Sequence, residues 1–122
     1  MGGHYKNLAA WQKAMDLVEL VYVATEQFPK HELYGLANQM RRAAVSVPSN
    51  IAEGQARFSK RDFRNFLRAS RGSLAELETQ ALISLRLKYL DQTSADTILS
   101  RIDEVSRILS GLITSISAEE GT

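Results

Sequence analysis

The sequence predicts an all-α protein, an antiparallel up-down four-helix bundle formed by a single domain over residues 1–122. Three observations carry that prediction. Four segments repeat apolar residues at steps of three and four, the period of an amphipathic helix. Only two prolines occur, and the turn signals between the segments are short. No stretch alternates apolar and polar residues as a half-buried strand does. Such helices on short turns bury their stripes by packing side by side, neighbours antiparallel.

The first helix is expected from about Asn7 to Gln27, with Leu8, Trp11, Met15, Val18, Tyr22 and Thr25 on its buried face. Phe28-Pro29-Lys30-His31 ends it, because proline lacks the donor to continue the ladder and restricts the residue before it. The second helix should start near Glu32, carry Leu33, Leu36, Met40, Ala44, Val47 and Ile51, and finish at Gly54. Pro48 falls inside this pattern. Either the helix stops at Val47 or it continues with a kink near Ala44, and Ile51 favours the kink by keeping the apolar register.

Ser59 caps the third helix, with Asp62 in its first turn against the positive dipole end. Phe63, Phe66, Leu67, Ser70, Leu74, Leu77, Ala81 and Leu85 form its stripe, which ends near Tyr89 and Leu90. After a turn over residues 91–94, the fourth helix carries Ile98, Ile102, Val105, Leu109, Leu112 and Ile116, a heptad seam suited to packing at about 20°. Thr93 or Ser94 can cap it. Residues 1–6 and 118–122 are expected to fray.

Bulk composition narrows the function. Apolar residues make up 44% and charged residues 24%, a balance that supports a packed core and argues against disorder. Cysteine is absent, which excludes thiolate metal sites and catalytic thiols. No apolar run reaches the roughly 18–20 residues of a membrane span. The start of the chain lacks the apolar core of a secretion signal, and Lys6 stands where a myristoylation motif needs Ser or Thr. A cytoplasmic protein is the expectation.

Enzyme signals are missing. His4 and His31 sit in a tail and a loop without a metal or general-base pattern. Gly54 and Gly72 stand apart from any phosphate-binding loop. Glu76 and Glu78 point to different faces of one helix. No catalytic residue, metal, cofactor or small-molecule substrate is expected.

The net charge of +1 conceals an uneven distribution. Residues 1–40 sum to −1, residues 41–71 to +6 and residues 72–122 to −4. Within the basic block, Arg61, Arg64, Arg68 and Arg71 step by three, four and three, and so share one helix face about 130° from the core stripe. Arg86 continues the line. Aligned guanidiniums repel one another, and phosphate matches their paired donors. Three readings stand: a solvated face paired with acids such as Glu76 or Glu78, a nucleic-acid surface, or a surface for an acidic protein. As a nucleic-acid site the row would be supported by Arg41, Arg42, Arg57 and Lys60. The rival from another class is a protein-interaction scaffold with no nucleic-acid affinity.

Apolar residues also exceed what four stripes need. Leu17, Leu20, Val21 and Ala24 lie off the first stripe, and Leu99, Ile108 and Ile113 off the fourth. They mark either a wide core stripe or a subunit interface, for which Leu17, Leu20, Leu99, Ile108 and Ile113 are the candidates. Ala69, Gly72, Ser73 and Gln80 share another side of the third helix. A mid-helix glycine costs about 1 kcal/mol relative to alanine, so Gly72 is expected at a helix contact in this chain or a neighbour.

Several stretches together resemble a known family. They are Leu8-Ala9-Ala10-Trp11-Gln12-Lys13-Ala14, Phe28-Pro29-Lys30-His31-Glu32-Leu33-Tyr34-Gly35-Leu36, Gln39-Met40-Arg41-Arg42-Ala43-Ala44 and Ser46-Val47-Pro48-Ser49-Asn50-Ile51-Ala52-Glu53-Gly54. Phe63, Phe66-Leu67, Arg71-Gly72-Ser73-Leu74 and Glu76-Leu77-Glu78-Thr79-Gln80 continue the match. The chain resembles the four-helix-bundle proteins encoded in 23S rRNA intervening sequences over roughly residues 7–115. That resemblance implies a homopentamer. It also implies kinship with the accessory variability determinant of diversity-generating retroelements, which binds a reverse transcriptase and nucleic acid through a basic surface. Beside it, the residues themselves argue a structural role for the Pro48 region. Ser46 and Asn50 can satisfy carbonyls near the missing donor, and Glu53 can pair with an arginine. The combined expectation is a non-enzymatic oligomer that binds RNA or a ribonucleoprotein partner through its basic stripe.

Overall fold

The computed structural model describes residues 4–120, with side chains through residue 118. Four α-helices run α1 (Ala9–Thr25), α2 (Leu36–Gln55), α3 (Lys60–Arg86) and α4 (Gln92–Glu120), with short 3-10 turns at Tyr5–Asn7 and Lys30–Glu32. No strand occurs among the described residues. Each helix packs on its neighbours in sequence and α4 closes the ring on α1, while the diagonal pairs stay apart. Antiparallel register is plain between α2 and α3. Ser46 Oγ and Ser73 Oγ hydrogen-bond at 2.5 Å, Ser70 Oγ donates to the Val47 carbonyl at 2.9 Å, and Ser84 Oγ reaches Met40 Sδ at 3.4 Å. The four-helix up-down expectation is the fold observed.

The core holds Leu17, Val21, Met40, Val47, Ile51, Leu67, Leu74, Leu77, Ile98, Val105 and Leu109, all at 1% exposure or less. Burying each such side chain contributes about 1.5–3 kcal/mol, so the bundle needs no cross-link. The face of α1 differs from expectation. Ala10, Ala14, Leu17, Val21 and Thr25 are buried, whereas Met15 and Tyr22 are about 40% exposed. The buried stripe lies one residue, about 100°, round from the predicted one. Both stripes are apolar, and the two alanines let α1 approach its neighbours closely. This also corrects two interface candidates: Leu17 at 0% and Ile113 at 6% belong to the core of the chain itself. Near the end of α4, Ile113 is buried and Leu112 half-buried. A straight helix drifts about 20° per heptad, which moves the seam by one residue there.

Helix ends depart from the sequence reading for local reasons. α2 starts at Leu36 rather than near Glu32, because Gly35 (φ −106°, ψ −117°) leaves the helical region. Glu32 remains essential to that start: its carboxylate accepts from the Leu36 N–H at 3.0 Å. α2 then runs unbroken through Pro48, so the stop at Val47 does not occur. Ser46 and Asn50 do bond back onto the helix, to the carbonyls of Ala43 and Ser46 at 2.8 Å each. α3 stops at Arg86, short of Tyr89, where Lys88 takes φ 65°. Lys88 N–H donates to the Leu85 carbonyl (3.0 Å) and Tyr89 N–H to the Ser84 carbonyl (2.9 Å), a Schellman cap with lysine in the usual glycine position. The cap of α4 is Asp91, whose carboxylate accepts from Ser94 N–H at 2.7 Å, two to three residues ahead of the expected Thr93 or Ser94. The α4 backbone is helical to Glu120, and the tail expectations at 1–3 and 121–122 lie outside the described residues.

Candidate nucleic-acid interface

The basic face is built by α3. Ser59 Oγ accepts from Asp62 N–H at 3.0 Å and fixes where the helix starts, and therefore which way every later side chain points. From that start Arg61, Arg64, Arg68 and Arg71 follow one another along one side. Arg61, Arg68 and Arg71 are exposed and Arg64 is half-buried. Among the described residues no carboxylate lies within 4 Å of Arg61, Arg68 or Arg71; ion pairs form elsewhere, among them Lys13–Glu104, Glu53–Arg57 and Asp103–Arg107. Glu76 and Glu78 do not close on Arg61, Arg68 or Arg71, so among the described residues no carboxylate neutralises these three. Arg71 Nη1 comes to 3.4 Å from Ser110 Oγ, which puts the end of the row beside α4.

The four supporting charges divide. Arg57 stands at the head of the row, held by Glu53 at 2.9 Å and lying 5.0 Å over the Phe66 ring. Lys60 opens α3 itself. Arg41 turns away to α1, donating to Thr25 Oγ1 at 2.8 Å with its guanidinium 4.8 Å from the Tyr22 ring, and so fastens α1 to α2. Arg42 borders two shallow grooves on α2, one with Tyr22 and Val45, the other with Ser73, Glu76 and Gln80. Arg41 and Arg42 therefore stand apart from the row. Sequence position grouped them with it; helix direction separates them.

Gly72 lies exposed beside the row, and a Cβ there would meet nothing within 4 Å. The expected contact is absent among the described residues. Gly54 is the opposite case: its Cβ would lie 2.6 Å from Phe66 Cβ, so glycine sets the close passage of α2 over α3. With the Ser46–Ser73 bond and the Glu53–Arg57 pair, this gives the Ser46–Gly54 stretch the structural role expected of it.

At the other end of the bundle, Glu32 accepts from Tyr89 Oη at 3.1 Å while capping α2, and the Tyr89 ring packs on Phe28 at 5.4 Å. The Leu36 amide, then the Tyr89 hydroxyl and His31, hold the Glu32 carboxyl below its usual range. Desolvation, then the Glu32 carboxylate, push the Tyr89 phenol up. This cluster joins the α1–α2 connection to the α3–α4 turn. Periodicity could not have found it, because its members lie on connections.

Phe58 was also missed. It lies on the α2–α3 connection, at the head of the row, fully exposed at 108%. An aromatic in the basic turn Arg57-Phe58-Ser59-Lys60-Arg61, off every apolar stripe, is the sequence signal that points to it. No three His, Asp or Glu side chains converge as a metal site among the described residues. Nor is any described helix long and apolar enough to cross a membrane.

Fold and face together define a small helical-bundle protein with a row of arginines on its third helix, of which Arg61, Arg68 and Arg71 are exposed. The 23S rRNA-intervening sequence protein family matches residues 6–111, and this chain belongs to that family. Among solved structures it is similar to a protein of unknown function from the S23 ribosomal protein family of Bacteroides thetaiotaomicron. The TM-score is 0.78 at 21% identity, covering 86% of this chain and 95% of the other, which establishes a shared fold. No curated protein matches the chain.

Proposed function

We propose that this protein is a non-enzymatic, self-assembling bundle of the cytoplasm that binds RNA, or an RNA–protein particle, through the arginine face of α3. One observation carries the reading: Arg61, Arg68 and Arg71 stand exposed in step without a carboxylate partner among the described residues. Guanidiniums left together in water repel, and a polyanion relieves that repulsion while accepting paired hydrogen bonds from each. The family's name links its members to 23S rRNA insertions, which supports RNA over other polyanions. Kinship with the accessory variability determinant, implied by the sequence resemblance, would make a reverse transcriptase one such protein partner.

The self-assembly rests on apolar surface. Leu20, Leu99 and Ile108 are half-buried, Val23 is 63% exposed, and Leu82 and Ile83 near the end of α3 and Leu87 just after it are exposed. The homopentamer implied by the resemblance would weigh about 68 kDa, five times 13.6 kDa. Light scattering on a low-salt size-exclusion peak, read at 260 and 280 nm, tests both parts at once.

For the binding face, Arg68→Ala with Arg71→Ala should weaken RNA binding for all sequences alike and reduce its salt slope by about two. Unchanged low-salt affinity in this double variant would remove the row as the site. The exposed Leu82, Ile83 and Leu87 side chains favour a second reading, a protein scaffold without RNA affinity. A protein partner retained after nuclease treatment, with no RNA bound by the purified protein, would select it.

A further inference from the structure

Phe58 extends the RNA reading to the form of RNA. An aromatic side chain buries 150–250 Å² when it finds a partner, and Phe58 finds none: at 108% exposure it packs on nothing. The ring contacts of the described residues are elsewhere, at Tyr5–Trp11, Phe28–Tyr89 and His31–Tyr89. Its position is specific. It precedes Ser59, the cap that starts α3, and Arg61 follows on the first turn of that helix. From Arg61 to Arg71 the helix rises about 15 Å, a length over which one strand of a stacked helix passes about four phosphates. A strand that lies along the row and continues past Arg61 reaches the α2–α3 connection, where Phe58 stands.

The surroundings of the ring distinguish base from backbone. The shallow cleft beside it is lined by Glu53, Ala56, Arg57, Ser59 and Asp62. Arg57 is already held by Glu53 and Phe66. The Glu53–Arg57 pair is close to neutral, while the Asp62 carboxylate repels a phosphate but accepts hydrogen bonds from the amino groups of a base. The chemistry at this spot thus suits a flat, uncharged, N–H-bearing group.

We propose that Phe58 is a stacking platform for an unpaired nucleobase, so that the row takes RNA that is single-stranded at the α2–α3 connection. Within a closed duplex both faces of every internal base are covered, and the ring has nothing to stack on. The proposal rests on the RNA reading above and adds strand form to it.

The test measures binding of a short unstructured oligoribonucleotide and of an RNA duplex of equal length at low salt. Phe58→Ala should weaken the single strand about tenfold, within the range of one base stack, and leave the duplex unchanged. Because Phe58 supports no packing, the variant should melt as the wild type does. Phe58→Trp should restore single-strand binding. Its fluorescence, read against that of Trp11, the chain's single tryptophan, should be quenched by the single strand alone. Wild-type affinity of Phe58→Ala for the single strand would overturn the platform, as would an equal loss on both RNA forms. A lowered assembly mass without RNA would do the same, by making the ring a contact between copies. If Arg68→Ala with Arg71→Ala weakens both RNA forms while Phe58→Ala changes neither, the platform alone falls. If the wild type binds neither RNA, both readings fall.

Discussion

Replacing Gly54 with alanine tests the closest passage in the bundle. Gly54 is buried in the last turn of α2 with helical backbone angles, so alanine meets no backbone strain there. The added Cβ would lie 2.6 Å from Phe66 Cβ, 3.0 Å from Phe63 Cδ1 and 3.3 Å from the Phe63 carbonyl oxygen. Carbon atoms pack at about 3.5–4.0 Å, so α2 and α3 must separate by about 1 Å. Phe66 Cβ is anchored to the α3 backbone and cannot swing aside. Overpacking of this kind costs about 1–3 kcal/mol, against up to about 1 kcal/mol that alanine gains over glycine in a helix. With a 2.6 Å approach to an anchored Cβ the overpacking lies in the upper half of that range, about 2–3 kcal/mol, so the net loss is about 1–2 kcal/mol. An unfolding entropy of about 2.1 cal/mol/K per residue makes 1 kcal/mol worth about 4 °C in this chain, so Tm should fall by about 4–8 °C. Thermal melts followed by far-UV circular dichroism read this directly. Gly72→Ala is the paired control: with nothing within 4 Å of its Cβ, it should raise Tm by about 2–4 °C. An unchanged or raised Tm for Gly54→Ala would refute the reasoning about the α2–α3 contact.

Three further outcomes follow from particular contacts. Lys88 holds a left-handed conformation that disfavours a side chain, so Lys88→Gly should stabilise by about 0.5–1 kcal/mol in denaturant titrations; destabilisation would show that the lysine makes a compensating contact. The Glu32 carboxyl is depressed by the Leu36 amide and then Tyr89, so its stabilising effect is present above the ordinary carboxylate range and is lost as pH falls through the depressed value. Glu32→Gln should flatten the acid side of the stability-pH curve, and an unaltered curve would remove Glu32 as a source of acid sensitivity. Ile108→Glu, at a half-buried position of α4, should lower the assembly mass in light scattering while far-UV ellipticity is kept; an unchanged mass would take Ile108 out of the interface.

The division between what the sequence determined and what the tertiary structure decided follows from the range of each interaction. Helix content, number and order depend on apolar spacing within a few residues, and these were legible, as were the Ser59 cap and the continuation of α2 through Pro48. The arginine row was legible for the same reason, since four residues on one helix hold their relation wherever the helix packs. Which face of α1 turns inward was not. Two apolar stripes satisfy the same period there, and the small side chains of Ala10 and Ala14 decided it by permitting close approach, a property of the neighbours as much as of α1. Relations between elements were decided only by the fold. Arg41 left the basic group to fasten α1 to α2, Glu32 reached across to Tyr89, and Gly54 met Phe66 while Gly72 met nothing. Phe58 became visible as a candidate once the surrounding apolar residues had been assigned to the core and it had not. A sequence states which side chains share a helix face; only packing states what that face meets, because contact energies depend on atoms brought together from distant parts of the chain.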